Sequence, residues 1–189
     1  MPGLQNVMFP IPDYDGPGEI RPFADFLPFI GEVVIAFSRL ERRLTWAIES
    51  CLRIRPEEAD AIQETIFSVS TRIGMFETLA FRHVADASDQ ASQLQSIAKR
   101  FRKLNDYRNF ILHGPWYGTS GEYDANGELF RHAAMKSKYA PLGSKDLSPK
   151  TRSHSAQEMR EHAQSMLDLC GDIQVWVLTV FPHAENRVP

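Results

Sequence analysis

The sequence predicts a mainly α-helical protein, an antiparallel helical bundle with a small β-hairpin inserted before the last helix. Three observations carry this prediction. Apolar residues recur at steps of three and four over long segments, which is the period of an amphipathic helix. Helix start signals, Pro56-Glu57-Glu58 and the capping box from Ser155 to Glu158, precede such segments. The dipeptide Asn126-Gly127, typical of a tight hairpin turn, lies where the helical period is lost.

The chain is divided by composition into an arm and one domain. Residues 1–24 are expected to form an irregular arm, because six of the twelve prolines lie in it or just beyond it, and residues 25–189 fit a single helical domain. The first helix is expected to start with Asp25 as its N-cap, since Pro28 is tolerated only in a first turn. Its apolar stripe is Phe26, Ile30, Val33, Phe37, Leu40, Leu44, Ala47 and Cys51.

The remaining elements follow from the same signals. Pro56 opens a short second helix, and Ser70 is the expected cap of a third. A long fourth helix, the motif helix, runs from about residue 90 to 113. A hairpin is expected over about 116–137, a polar loop over about 137–154, and a final helix begins after Ser155.

The end of the motif helix combines a cation, an amide and an imidazole. Arg108 occupies a position where the apolar series predicts another apolar residue, and burying a guanidinium is costly unless an anion meets it. Asn109 and His113 are four residues apart, so they share a helix face. Gly114 and Pro115 then end the helix. The apolar series itself is Leu94, Ile97, Phe101, Leu104 and Ile111.

These three side chains suit metal-independent cleavage of RNA. Arg108 can neutralise charge on a phosphoryl group, His113 can move protons, and Asn109 can position the substrate. The 2′-hydroxyl of the RNA would attack the adjacent phosphorus, so the protein supplies only positioning, proton transfer and charge stabilisation. One imidazole does not easily act as base and acid in a single step. Two copies of the motif facing each other in a homodimer would supply both.

The sequence of Arg108, Asn109, three apolar residues and His113 resembles the signature of the HEPN superfamily. The resemblance extends from the long first helix to the last, and it implies an α-helical, commonly dimeric protein. Members often act as toxins or defence RNases, so a cognate antitoxin or a nucleotidyltransferase is an implied partner. Some members carry an acidic residue on the first helix near the site, which makes Glu41 an accessory candidate. Two alternatives for Glu41 remain open: an ion pair with Arg108 that only fixes helix packing, or a solvated charge.

Charge is segregated along the chain although its net value is −3. Residues 99–108 hold five cations and one anion, and residues 131–155 hold six cations and one anion. Such patches bind phosphate backbones, although a solvated helix face explains them equally well. Trp116 and Tyr117 follow the motif and are able to stack on bases or to anchor the hairpin. The motif helix carries a basic run whose members are RNA-binding candidates: Lys99, Arg100, Arg102 and Lys103.

Other chemistries find no support in the sequence. The remaining histidines are scattered, and Glu158 with His162 lacks a third ligand, so neither a metal nor a cofactor is expected. No secretory signal or membrane-spanning stretch is evident, and Cys51 and Cys170 fall on apolar stripes as buried thiols, which together indicate a cytoplasmic protein. Two further interpretations stay open: a non-enzymatic module that binds RNA, a nucleotide or a protein, and a purely structural dimerisation domain.

Overall fold

The computed structural model describes residues 7–8, 26–66, 68–84, 88–113, 116–123, 129–138 and 150–187. The protein is mainly α-helical, as predicted. The helices are α1 (Leu27–Leu52), α2 (Pro56–Thr65), α3 (Val69–Phe81), α4 (Asp89–Leu112) and α5 (Ala156–Val180), and a 3₁₀-helix (Pro182–Arg187) follows. The strands are β1 (Val7–Met8), β2 (Trp116–Tyr123), β3 (Leu129–Lys138) and β4 (Lys150–Ser155). No helix within these ranges combines the length and the apolar character that crossing a membrane requires.

The chain divides into two compact units, and the three longest helices each contribute to both. The helical unit comprises Val34–Arg108 and His162–Pro189. The sheet unit comprises Met1–Val33 and Asn109–Glu161. The division falls inside the predicted motif, because Arg108 ends one unit and Asn109 starts the other.

The core of the helical unit is built from aromatic contacts between helices. Phe37 of α1 meets Phe101 of α4 edge to face, with ring centroids 6.1 Å apart. Phe76 of α3 meets Trp176 of α5 in the same way at 5.7 Å. The indole N–H of Trp176 donates to the backbone oxygen of Gln90 at 2.9 Å, so the polar edge of this buried ring is satisfied. The predicted stripes of α1, α4 and α5 therefore face a shared core.

Three of the predicted helix starts fall on described residues, and the structure confirms two of them. Pro56 is the first residue of α2, as predicted. Ser155 accepts a hydrogen bond from the backbone N–H of Glu158 at 3.0 Å, which confirms it as the cap of α5. The cap predicted for α3 is wrong, because Ser68 accepts from the N–H of Thr71 while Ser70 lies inside the helix. Ser70 instead accepts a hydrogen bond from the Asn105 side chain at 3.4 Å. The predicted cap Asp25 lies outside the described residues.

The sheet unit holds a four-stranded antiparallel sheet in the order β1-β2-β3-β4. The β2–β3 pair corresponds to the predicted hairpin, whose turn at 124–128 lies outside the described residues. The prediction of a polar loop over 137–154 is wrong for its last residues, because residues 150–155 form β4 and pair with β3. The prediction of an irregular arm over residues 1–24 is wrong at Val7 and Met8, which form a short strand paired with β2. Neither segment has an alternation of apolar residues long enough to reveal a strand, and backbone pairing alone makes each one extended.

Candidate functional site

Arg108 stands at the core-facing position of α4 and is half-buried. Its guanidinium carbon lies 5.2 Å from the centroid of the Phe37 ring on α1. A guanidinium over an aromatic face is attracted by the negative face of the ring. The apolar stem and the planar head of Arg108 thus cover Phe37 where an aliphatic side chain would otherwise pack. This contact explains how the apolar series tolerates a cation.

Asn109 and His113 lie one helical turn apart in the sheet unit. The backbone N–H of His113 donates to the backbone oxygen of Asn109 at 2.9 Å, which closes the last turn of α4. Asn109 is half-buried, whereas His113 is exposed directly after the helix ends at Leu112. The imidazole is therefore accessible to a substrate from solvent. Gly114 and Pro115, the predicted helix terminators, lie outside the described residues.

Two further histidines contact the residues around the motif. In the sheet unit, the ring of Phe110 lies 5.1 Å from that of His154, and His154 Nδ1 is 3.6 Å from Glu158 Oε1. In the helical unit, His162 stacks on Tyr107 with ring centroids 3.6 Å apart. His154 is completely buried, so it packs the helix end and does not face solvent.

Sequence reasoning assigned no role to either of these histidines. The spacing of four between Glu158 and His162 places them on one face of α5, but it does not reveal that His162 stacks on Tyr107. Within the described ranges, no three His, Cys, Asp or Glu side chains are grouped so as to hold a metal ion. The two histidines instead support the aromatic side chains on either side of Arg108.

Glu41 forms an ion pair with Arg72 of α3, at 2.6 Å between Oε1 and Nη2. The Arg72 side chain is 5% exposed and that of Glu41 is 21% exposed, so the pair is largely shielded from water. The Nε and Nη1 atoms of Arg72 have no hydrogen-bond partner among the described residues. The attraction to Glu41 is therefore the main compensation for a buried guanidinium. The accessory catalytic role of Glu41 remains a prediction, and the carboxylate has this structural role beside it.

The α4 basic run, which consists of Lys99, Arg100, Arg102 and Lys103, is only partly available to a phosphate backbone. Arg100 forms an ion pair with Asp172 of α5, and Arg102 forms one with Glu77 of α3. Lys99 and Lys103 are exposed and have no ion pair among the described residues. Trp116 and Tyr117, the predicted stacking residues, begin β2, and their side chains lie outside the described part of the chain.

Sequence reasoning missed a second group of cations, on α1. Arg39, Arg42 and Arg43 line a cavity of about 390 Å³ together with Leu167 and Cys170 of α5. We call this cavity the arginine pocket. The spacing of three and four between its arginines was the available signal, since residues so spaced share a helix face.

No protein-family model matches this chain, and neither does any curated protein or solved structure. The resemblance to the HEPN superfamily therefore rests on Arg108, Asn109 and His113 and on their position at the end of α4.

Proposed function

We propose that this chain is a metal-independent endoribonuclease of HEPN type that acts as a homodimer in the cytoplasm. The observation that carries the proposal is the end of α4, where an exposed imidazole follows one turn after a half-exposed amide and a partly exposed guanidinium. These are the three groups that cleavage through the 2′-hydroxyl needs. The toxin or defence role that the resemblance implies would add a cognate antitoxin or a nucleotidyltransferase as partner.

The proposed reaction is an in-line displacement at phosphorus. A base removes the proton of the 2′-hydroxyl, the O2′–P bond forms, and the P–O5′ bond breaks as an acid protonates the 5′-oxygen. The products are a 2′,3′-cyclic phosphate and a 5′-hydroxyl. His113 of one protomer acts as base and the same residue of the partner as acid, while Arg108 stabilises the charge on the phosphorane and Asn109 positions the substrate.

The register of the sheet unit supports an RNA substrate. The pairing of β3 with β4 sets Lys136 opposite Arg152 and Lys138 opposite Lys150. Four basic residues therefore share one end of this strand pair, and clustered basic residues suit a phosphate backbone. Asn109 and His113 belong to the same unit as these strands.

A non-enzymatic module that binds RNA, a nucleotide or a protein is the second candidate. The observation that favours it is the contact between Arg108 and Phe37, because a guanidinium held over a ring already has a packing role. In that case Arg108 would be required for stability and not for chemistry.

Cleavage of a defined RNA by variants separates these candidates. We expect wild-type protein to cleave in EDTA, and His113→Ala to lower the rate by about 10²-fold or more, the usual contribution of a general acid or base. Arg108→Ala should also abolish cleavage while leaving the helical circular dichroism spectrum unchanged. His183→Ala, which removes another exposed imidazole, is the matched control and should cleave normally. Loss of activity in EDTA, or retained activity in both motif variants, would overturn the mechanism. Binding of RNA without cleavage would favour the second candidate.

The dimer is tested by mixing subunits. If both imidazoles serve one cleft, a mixed dimer of one wild-type and one His113→Ala subunit should be inactive. Exchanging an excess of His113→Ala subunits into wild-type protein should then lower the activity per wild-type subunit. Activity that falls only in proportion to dilution would mean that each protomer works alone, and a monomer in light scattering would have the same meaning.

A further inference from the structure

We infer that the arginine pocket binds a small phosphate-bearing anion, at a site independent of the proposed ribonuclease motif. All five lining residues belong to the helical unit, so the pocket is formed within one compact body. Three guanidinium groups lie on one face of α1, and α5 supplies the apolar wall.

The three arginines have no carboxylate partner among the described residues. The acids next to the lining residues in sequence have other partners: Glu41 of α1 pairs with Arg72, and Asp168 of α5, beside Leu167, accepts a hydrogen bond from Gln164 at 2.8 Å. Like charges three and four residues apart on a helix repel each other and destabilise it. A bound anion would remove this repulsion and would meet donors whose planar geometry suits phosphate oxygens.

Arg43 is the innermost of the three, and its surroundings hold it in place. Its guanidinium carbon lies 5.2 Å from the centre of the Trp46 ring, and Trp46 is itself buried. The Nη1 atom of Arg43 is enclosed and has no hydrogen-bond partner among the described residues. Burial lowers the pKa of Arg43, in agreement with a partly dehydrated cation. An enclosed donor without a partner is unfavourable, and an oxyanion in the pocket would supply the missing acceptor.

The size and the lining of the pocket restrict the ligand further. A volume of about 390 Å³ lies in the range of small-molecule sites, which hold roughly 300–1,000 Å³. Leu167 and the thiol of Cys170 offer an apolar surface to a carbon-containing portion of the ligand. The concave shape favours a compact organic phosphate, such as a nucleoside polyphosphate, over an extended RNA strand.

Cys170 provides a probe inside the pocket, and Cys51 provides an internal reference. Both thiols are free. Cys170 is half-buried at the pocket, whereas Cys51 is buried and its pKa is raised by burial to about 12.

The experiment is alkylation of the native full-length protein by iodoacetamide, followed for each thiol by peptide mass spectrometry. Pyrophosphate, ATP, adenosine, a short RNA and sodium chloride at matched ionic strength are compared as protecting agents.

We expect pyrophosphate or ATP to slow alkylation of Cys170 at least fivefold relative to sodium chloride, with adenosine ineffective and Cys51 unchanged. The double variant Arg39→Gln/Arg42→Gln should lose this protection. A charge-matched control, Arg53→Gln/Arg82→Gln, removes two exposed arginines elsewhere and should keep it. Equal protection of Cys170 in the two double variants would overturn the inference. The same holds if Cys170 of the wild-type protein is alkylated as fast with pyrophosphate and with ATP as it is with sodium chloride. Protection by RNA alone would likewise contradict a small-ligand site and would assign this surface to an RNA backbone.

Discussion

The helical unit carries two clusters of cations that look alike in the sequence and differ in the structure. The α4 basic run has two of its four cations paired with acids from α3 and α5. The arginines of the arginine pocket have no such partners among the described residues, although Glu41 lies between them on the same helix. Glu41 is directed to Arg72 of α3 instead. The number of charged residues in a segment therefore gives only its net charge. The charge that a ligand meets depends also on which acids of the neighbouring helices pair with those residues.

The largest expected effect concerns stability and compares the buried ion pair with a surface one. Glu41→Ala leaves the buried Arg72 without its carboxylate and should lower the free energy of unfolding by about 3 kcal/mol. Glu77→Ala breaks the more exposed pair with Arg102 and should cost less than about 1 kcal/mol. Urea denaturation of both variants measures the difference.

The double variant Glu41→Ala/Arg72→Met provides the control for that comparison. Replacing the arginine with an apolar side chain removes the unpaired charge, so most of the stability should return. Equal losses in Glu41→Ala and Glu77→Ala would mean that the Glu41–Arg72 pair is not shielded from water and that the contrast between the clusters is wrong.

The next effect concerns RNA binding by the α4 basic run. Lys99→Gln/Lys103→Gln removes two cations that have no ion pair among the described residues. Arg100→Gln/Arg102→Gln removes the same formal charge from paired positions. The first variant should flatten the dependence of log affinity on log salt by about 1.4 if both lysines contact single-stranded RNA phosphates. The second should change it by less than half as much. Titrations at several salt concentrations test this, and identical slopes would show that ion pairing does not govern phosphate binding here.

The smallest effect concerns the Cys170 thiol. Burial raises the pKa of Cys170, and the positive charges of Arg43 and Arg39 offset part of this rise. Arg39→Gln should therefore raise the pKa and slow alkylation at pH 8 by about two- to threefold. Lys99→Gln, a change of equal charge in the other cluster, should leave the rate unchanged. An equal response to both substitutions would show that the arginines act on Cys170 only through the overall charge of the protein.

The sequence predicted the long helices well because each has apolar residues at helical spacing over many turns. The cap Ser155 was predicted too, since a cap and the helix that it starts lie within a few residues of each other. Strand β4 was not predicted because its residues, Lys150 to Ser155, are polar throughout. Its extended conformation depends on pairing with β3, which is not visible in a local window.

The candidate site was predicted in part for the same reason. The motif is local, so its position at the end of α4 followed from the sequence. The partner of Glu41 lies 31 residues away on α3, and the ring beneath Arg108 lies on α1, so neither contact has a local signal. The cap of α3 was misplaced by two residues because Ser68 and Ser70 both fit the pattern, and the contact of Ser70 with Asn105 on α4 decides between them.

Under the proposed mechanism the end of α4 cleaves RNA by transferring protons without a metal ion, and the end groups of the fragments distinguish this claim from metal-dependent hydrolysis. A defined RNA is incubated in EDTA with wild-type protein and with His113→Ala, and the new ends are identified by mass spectrometry. We expect a 2′,3′-cyclic phosphate and a 5′-hydroxyl with wild-type protein, and no new ends with the variant. Fragments that carry a 5′-phosphate, fragments that form only when a divalent metal is added, or an intact RNA would contradict the claim.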